Sequence, residues 1–165
     1  MTNKQLSHKI KLQLEKLPFQ RSVDFALDIC KRLLPDYINF HQKRNWGDPV
    51  KLKEAITFCE ISKFSLKIDE DKVKEYKEAV EAVTPDMDDF GDCDGSYALN
   101  AACSVLELLD YIIDKDKVHL WNISTLMADT IDFKLREEDE SLTHEHLVEH
   151  PQLLKELHYQ LELTK

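Results

Sequence analysis

Glycine is nearly missing from this chain: three occur in 165 residues, with five prolines. Where so few residues can break a helix or supply a tight turn, most of the chain must run in long regular segments. Lys, Glu, Leu and Ala outweigh Val, Thr and the aromatics, a balance that favours helices over strands. No glycine loop that would cradle a phosphate is present, nor a Gly-x-Ser-x-Gly nucleophile turn. Cysteine is sparse too. The four thiols, Cys30, Cys59, Cys93 and Cys103, have no C-x-x-C spacing for zinc. The opening MTNKQLSHKIKLQLEKL lacks the continuous apolar run of an export signal, and no stretch approaches the ~18 apolar residues of a membrane helix. A cytoplasmic location with reduced thiols is therefore expected.

Positive charge is also in short supply. Lys and Arg number 22 against 32 Asp and Glu, a formal charge of −10. The basic pairs Lys31-Arg32 and Lys43-Arg44 are too short to form an electrostatic footprint, so neither nucleic acid nor an anionic membrane is an expected partner. Hydrophobic content of 42% with 33% charged residues fits a folded chain, and the length fits one domain over residues 1–165.

What is abundant is helical periodicity. Leu6, Ile10, Leu14 and Leu17 predict a helix over about 3–16, and residues 19–34 repeat the pattern up to Pro35, where a new start is expected. NWGDPV punctuates the chain: Gly47 suits a left-handed helix end, Asp48 a cap and Pro49 a first helical residue. Val50, Leu52, Ala55, Ile56, Cys59 and Leu66 follow on the next helix, and another is expected over 70–83. SYALNAACSVLELLDYII, about 96–113, is apolar nearly all round and predicts a central helix packed on several sides. A sixth helix over about 117–137 precedes an exposed REEDES turn and a last helix that Pro151 kinks or restarts. The expected fold is all-α, a compact bundle of about seven helices around the central one.

Three stretches invite chemistry. TPDMDDFGDCDGSY (84–97) packs five aspartates with two glycines. A calcium-binding EF-hand loop needs oxygens at positions 1, 3 and 5, glycine at 6 and glutamate at 12. Placing Gly95 at position 6 puts Phe90 at 1 and Ala101 at 12; placing Gly91 there puts Phe90 at 5 and Tyr97 at 12. Neither frame closes the site, which leaves helix initiation, with Asp94 or Ser96 as the expected cap, or a looser divalent-metal site. HEHLVEH (144–150) lacks the His-Glu-x-x-His spacing of a zincin, because Val148 stands four after His144. Glu78-Ala-Val-Glu81 and Glu107-Leu-Leu-Asp110 match the carboxylate spacing of all-helical, magnesium-dependent nucleoside triphosphate pyrophosphatases.

PDYINFHQKRNWGDP (35–49) and TPDMDDFGDCDGSYALNAACSVLELL (84–109) together resemble the YjaG-like family, bacterial proteins built of a domain of unknown function. The matching positions are Tyr37, Phe40, Gly47, Asp48, Pro85, Asp88, Asp89, Phe90, Tyr97, Asn100 and Ala101. The resemblance implies a cytoplasmic helical bundle without an assigned activity. Phe40, Gly47, Asp48, Asp88, Asp89, Phe90, Tyr97 and Asn100 are its candidate site residues. The set Glu78, Glu81, Glu107 and Asp110 lies outside the pattern.

The expected function is a non-enzymatic acidic module that binds a basic protein partner and needs no cofactor; an immunity protein neutralising a basic toxin is one form of it. The alternative is a magnesium-dependent nucleotide hydrolase on the glutamate set, and a third possibility is a divalent-metal-binding regulator at the aspartate loop.

Overall fold

Side-chain caps start most of the helices in the computed structural model, which describes residues 1–165. Thr2 caps α1 (Asn3–Leu14) in a reciprocal box with Gln5; Asp48, Asp69 and Asp92 cap α3 (Pro49–Ser62), α4 (Glu70–Ala82) and α5 (Cys93–Asp114). Thr143 opens the five-residue α7 (His144–Val148), and His150 opens α8 (Pro151–Leu163). The two helices without a capping side chain are α2 (Phe19–Arg44) and α6 (Val118–Glu138). About 76% of the chain is helical and no strand forms, an all-α fold with seven longer helices and one short one.

Two boundaries depart from the sequence expectation. Pro35 starts no new helix: α2 runs unbroken through it over 26 residues. Proline removes one helical N–H bond, but Lys31 and Pro35 are both exposed, so the carbonyl left over faces water. Buried Leu33, Tyr37 and Phe40 on either side hold the two halves in one line. At the other boundary, α3 ends at Ser62, so Leu66 lies outside the helix and is fully exposed. The expected restart at Pro151 is present, as α7 followed by α8.

The core is one cluster of 33 buried residues to which every helix but α7 contributes. Helix α5 packs against α2, α3, α4 and α6, while α1 and α8 pack on each other and on α6. An 18-residue window of α5 reaches a mean hydropathy of 1.2, so by length and composition alone this helix could cross a membrane; more than half of that window is buried against its neighbours, as in the core helix of a bundle. Cys30 and Cys59 lie in this core, where burial pushes the Cys30 thiol up to about 12 and keeps both protonated.

Polar groups inside the bundle are satisfied. Arg32 of α2 grips Glu156 of α8 with two hydrogen bonds of 2.8 and 2.9 Å and reaches Asp28 at 2.7 Å. Gln160 on the same face of α8 is fully buried; it accepts from Ser124 of α6 at 2.5 Å and donates to Glu156 at 2.9 Å. This network sets the register of α8 on α2 and α6, where apolar contacts alone would allow sliding.

Replacing fully buried Leu108 by alanine is expected to cost about 2–5 kcal/mol in urea denaturation. The same truncation at exposed Leu66 should stay within about 0.5 kcal/mol.

Candidate functional site

The positions singled out by the sequence meet at one end of the bundle, where α2 stops and α5 begins. Helix α2 ends on Asn45 in the left-handed conformation (φ 50°), and Gly47 is left-handed too (φ 80°). A Cβ at Gly47 would lie 2.3 Å from the Tyr37 hydroxyl, so both the backbone angle and the close approach require glycine. That hydroxyl donates to the Val83 carbonyl at 2.5 Å and accepts from the Asp48 N–H at 3.2 Å. One side chain thus joins the end of α4 to the start of α3. Asp48 then accepts from Val50 N–H at 3.0 Å, which is its capping role.

Phe40, Trp46 and Phe90 close the same corner. Phe90 packs edge-on against Phe40 with ring centres 5.1 Å apart and lies 5.0 Å from Trp46. The loop that carries Phe90 is built by Asp86, whose side chain accepts from Asp88 N–H at 2.8 Å and whose carbonyl accepts from Phe90 N–H at 2.8 Å. The loop then turns under α5. A Cβ at Gly95 would sit 2.0 Å from the Phe90 carbonyl oxygen, so only glycine lets loop and helix touch there.

The capping residue of α5 is Asp92, not the expected Asp94 or Ser96. Its backbone is extended (φ −95°, ψ −179°) and its carboxylate accepts from Gly95 N–H at 2.8 Å. Asp92 also pairs with Arg44, and Asp94 pairs with Lys43 at 3.2 Å. Lys43 and Arg44 are therefore the cations that tie the aspartate loop to the last turn of α2, where positive charge also suits the helix dipole. Asp86, Asp88 and Asp89 remain exposed.

Tyr97 and Asn100 face α6. Tyr97 donates to Glu137 at 2.5 Å; burial, then this carboxylate, pushes its phenol well above the usual range. Asn100 donates to Thr130 at 3.1 Å. Beside them lies an open depression of about 500 Å³ between the start of α5 and the end of α6, lined by Cys93, Ser96, Phe133, Arg136, Glu137 and Glu140 among others. Phe133 is 42% exposed, and Glu138 and Asp139 are exposed on the chain between Glu137 and Glu140. The outcome is a predominantly acidic pole, with Asp92, Glu137 and Glu140 against the one cation Arg136, and one exposed aromatic ring in it.

Glu81, Glu107 and Asp110 of the glutamate set lie within electrostatic reach of Lys77, but they do not gather closely enough to hold a metal ion. Asp110 accepts from Lys77 at 2.8 Å, Glu107 binds His119 at 2.6 Å and Asn122 at 3.2 Å, and Glu78 and Glu81 are exposed on α4. No three His, Cys, Asp or Glu side chains anywhere gather as a metal site requires. His119 bridges α5 to α6, with Glu107 on one ring nitrogen and Asp114 on the other at 2.8 Å. Burial alone would lower its pKa; the two carboxylates outweigh that and hold it above the ordinary value near 6.5.

Sequence reasoning passed over Trp46, Glu137 and His119, and weighed Lys43-Arg44 only as a basic run too short for an external partner. A signal existed for one pair: basic residues in the last turn of a helix, facing a run of aspartates elsewhere, are complementary charges looking for each other.

The family described as protein of unknown function, DUF416, matches residues 9–165. A crystal structure of a DUF416 family protein from Shewanella baltica OS155 is similar over 93% of this chain and 81% of that one, with 27% sequence identity and a TM-score of 0.80. No curated protein matches the chain.

Tyr37→Phe leaves the Val83 carbonyl and the Asp48 N–H without their partner and should cost about 1–3 kcal/mol in denaturant unfolding. Because the folded-state pKa of His119 is raised, its contribution is fully present below the unfolded value near 6.5 and fades as pH rises through the folded one. His119→Gln should therefore lose stability relative to the parent at pH 5.5, with the gap narrowing toward pH 9 in paired thermal melts.

Proposed function

The chain belongs to the DUF416 family of proteins of unknown function, and on that premise we propose that it is a non-enzymatic, cytoplasmic interaction module whose acidic pole docks a basic protein partner. The observation that carries this is the depression around exposed Phe133, where Asp92 at the start of α5 meets Glu137 and Glu140 at the end of α6 with Arg136 the one cation in the lining, while Asp86, Asp88 and Asp89 stand exposed on the loop that leads into α5. An apolar ring set in a charged rim has the composition of a protein–protein hot spot: the ring supplies buried area and the rim supplies steering and orientation. The aromatic clasp beneath fixes the loop, so the partner meets a surface that needs little ordering. One form of this proposal is neutralisation of a basic toxin. The narrower grouping with YjaG-like proteins, suggested by Asp88, Asp89, Phe90 and the Tyr37–Asp48 segment, belongs to the same proposal.

The alternative of a magnesium-dependent triphosphate hydrolase draws no support from the side-chain geometry, since Glu107 and Asp110 are held by His119, Asn122 and Lys77. A divalent-metal regulator at the aspartate loop is no better supported. Asp92 and Asp94 are committed to Arg44, Lys43 and the α5 cap, and Asp86 to its own turn.

The test uses the protein partner recovered by cross-linking in the source cell. Replacing Asp88, Asp89, Glu137 and Glu140 by their amides is expected to slow association at low salt by about tenfold or more. The dissociation rate should change much less. Phe133→Ala should act mainly on dissociation. An association rate that ignores both salt and the four substitutions would sink the proposal.

A further inference from the structure

At the opposite end of the bundle lie the chain's most exposed large apolar side chains. Leu66 is fully solvent-exposed at 107% and Phe64 at 69% on the turn between α3 and α4, and Ile61 is exposed at 65% in the last turn of α3. Isolated exposed leucines are ordinary; three large apolar side chains within six residues at one projecting tip are not. The turn is flanked by two depressions. One, of about 470 Å³, has apolar walls of Pro18, Phe19, Phe64 and Leu66 and carries Arg21, Lys63 and Asp24. The other, of about 570 Å³, is lined by the turn's own continuation into α4 and carries Asp69, Glu70 and Asp71 with one cation, Lys67.

We propose that this tip is a self-association surface, on which a second copy of the chain docks about a two-fold axis and packs its Phe64 and Leu66 across the apolar-walled Pro18–Phe19 depression and the Leu66 of the other. The surface has what an isologous contact needs, a projecting apolar turn beside an open, apolar-walled depression on the same patch. Its charges are complementary in the same sense. Arg21 of one copy is brought toward the Glu70–Asp71 edge of the other, and the reciprocal pair forms across the axis. Lys63 already has a partner in Asp24 at 2.7 Å, so its charge is spent within the chain. Two molecules of charge −10 repel over most of their surface. The tip is a place where both signs are present and two copies can approach without that penalty, whereas the acidic pole forbids it. An anionic membrane is a poorer occupant, because the carboxylates of Asp69, Glu70 and Asp71 stand beside the apolar turn.

Sedimentation equilibrium of the full chain over micromolar to millimolar concentration tests this. A monomer–dimer equilibrium is expected, with Leu66→Asp weakening it by about tenfold or more. The thermal midpoint should stay put, because Leu66 is fully exposed. Ile61→Asp is the second variant, expected to act in the same direction. Phe133→Asp, at the far pole, should leave the dimer intact. A chain that stays monomeric across the range would overturn the proposal, as would a dimer indifferent to both tip substitutions. Tip-dependent binding of phosphatidylserine vesicles by a monomeric chain would assign the turn to a membrane and overturn it equally.

Discussion

Everything at the acidic end depends on where the Tyr37 hydroxyl sits. It is one atom, yet it takes the Val83 carbonyl at the end of α4 and the Asp48 N–H at the start of α3. It also leaves so little room beside it that residue 47 must be glycine. Phe40, one helical turn further along α2, then offers its face to Phe90, and Trp46 fills the third side. Polar and apolar terms pull the same way here. The hydroxyl fixes direction, and the rings exclude the water that would compete for its hydrogen bonds. The loop of residues 84–92 is closed over this corner, and Gly95 allows α5 to start directly against it.

That arrangement divides the charge of the molecule into parts with different tasks. Lys43 and Arg44 are consumed in holding Asp94 and Asp92, so two of the five loop aspartates are structural. Of the other three, Asp86 shapes its own turn, and all three remain exposed to water. An unpaired group of carboxylates on a rigid surface is electrostatically unfavourable when left alone. It is relieved by a positively charged partner, and that is the physical content of the proposed function. The opposite tip carries both signs and a projecting apolar turn, and so is suited to a different kind of contact.

How much of this was legible in the sequence varies with the range of the interaction. The helices were legible because their apolar spacing is local: α1, α4, α5 and α6 begin and end within three residues of where periodicity places them. Pro35 was misread because the proline rule speaks only to the lost hydrogen bond, and whether that carbonyl reaches water is a tertiary fact. Leu66 fits the spacing of α3 on paper, yet the helix has already ended at Ser62. The cap of α5 was one of several aspartates, and only the extended backbone at Asp92 selects it. The resemblance picked out Tyr37, Phe40, Gly47, Asp48 and Phe90, which the fold brings into one corner. It could not show that their cohesion is structural while Asp88 and Asp89 stand outside. Ion pairs such as Lys43–Asp94 span 51 positions, and no local pattern announces them.

The central claim is that the clasp holds the 86–94 loop and the end of α6 as one preformed docking surface. Hydrogen–deuterium exchange on the chain, alone and with its protein partner bound, addresses that claim most directly. The account predicts slow exchange across the Phe40–Phe90 corner in both states. It also predicts new protection, on binding, confined to residues 86–96 and 133–140. A loop that exchanges freely until the partner arrives would contradict the preformed surface. Protection appearing instead on α1 and α8 would contradict the site itself.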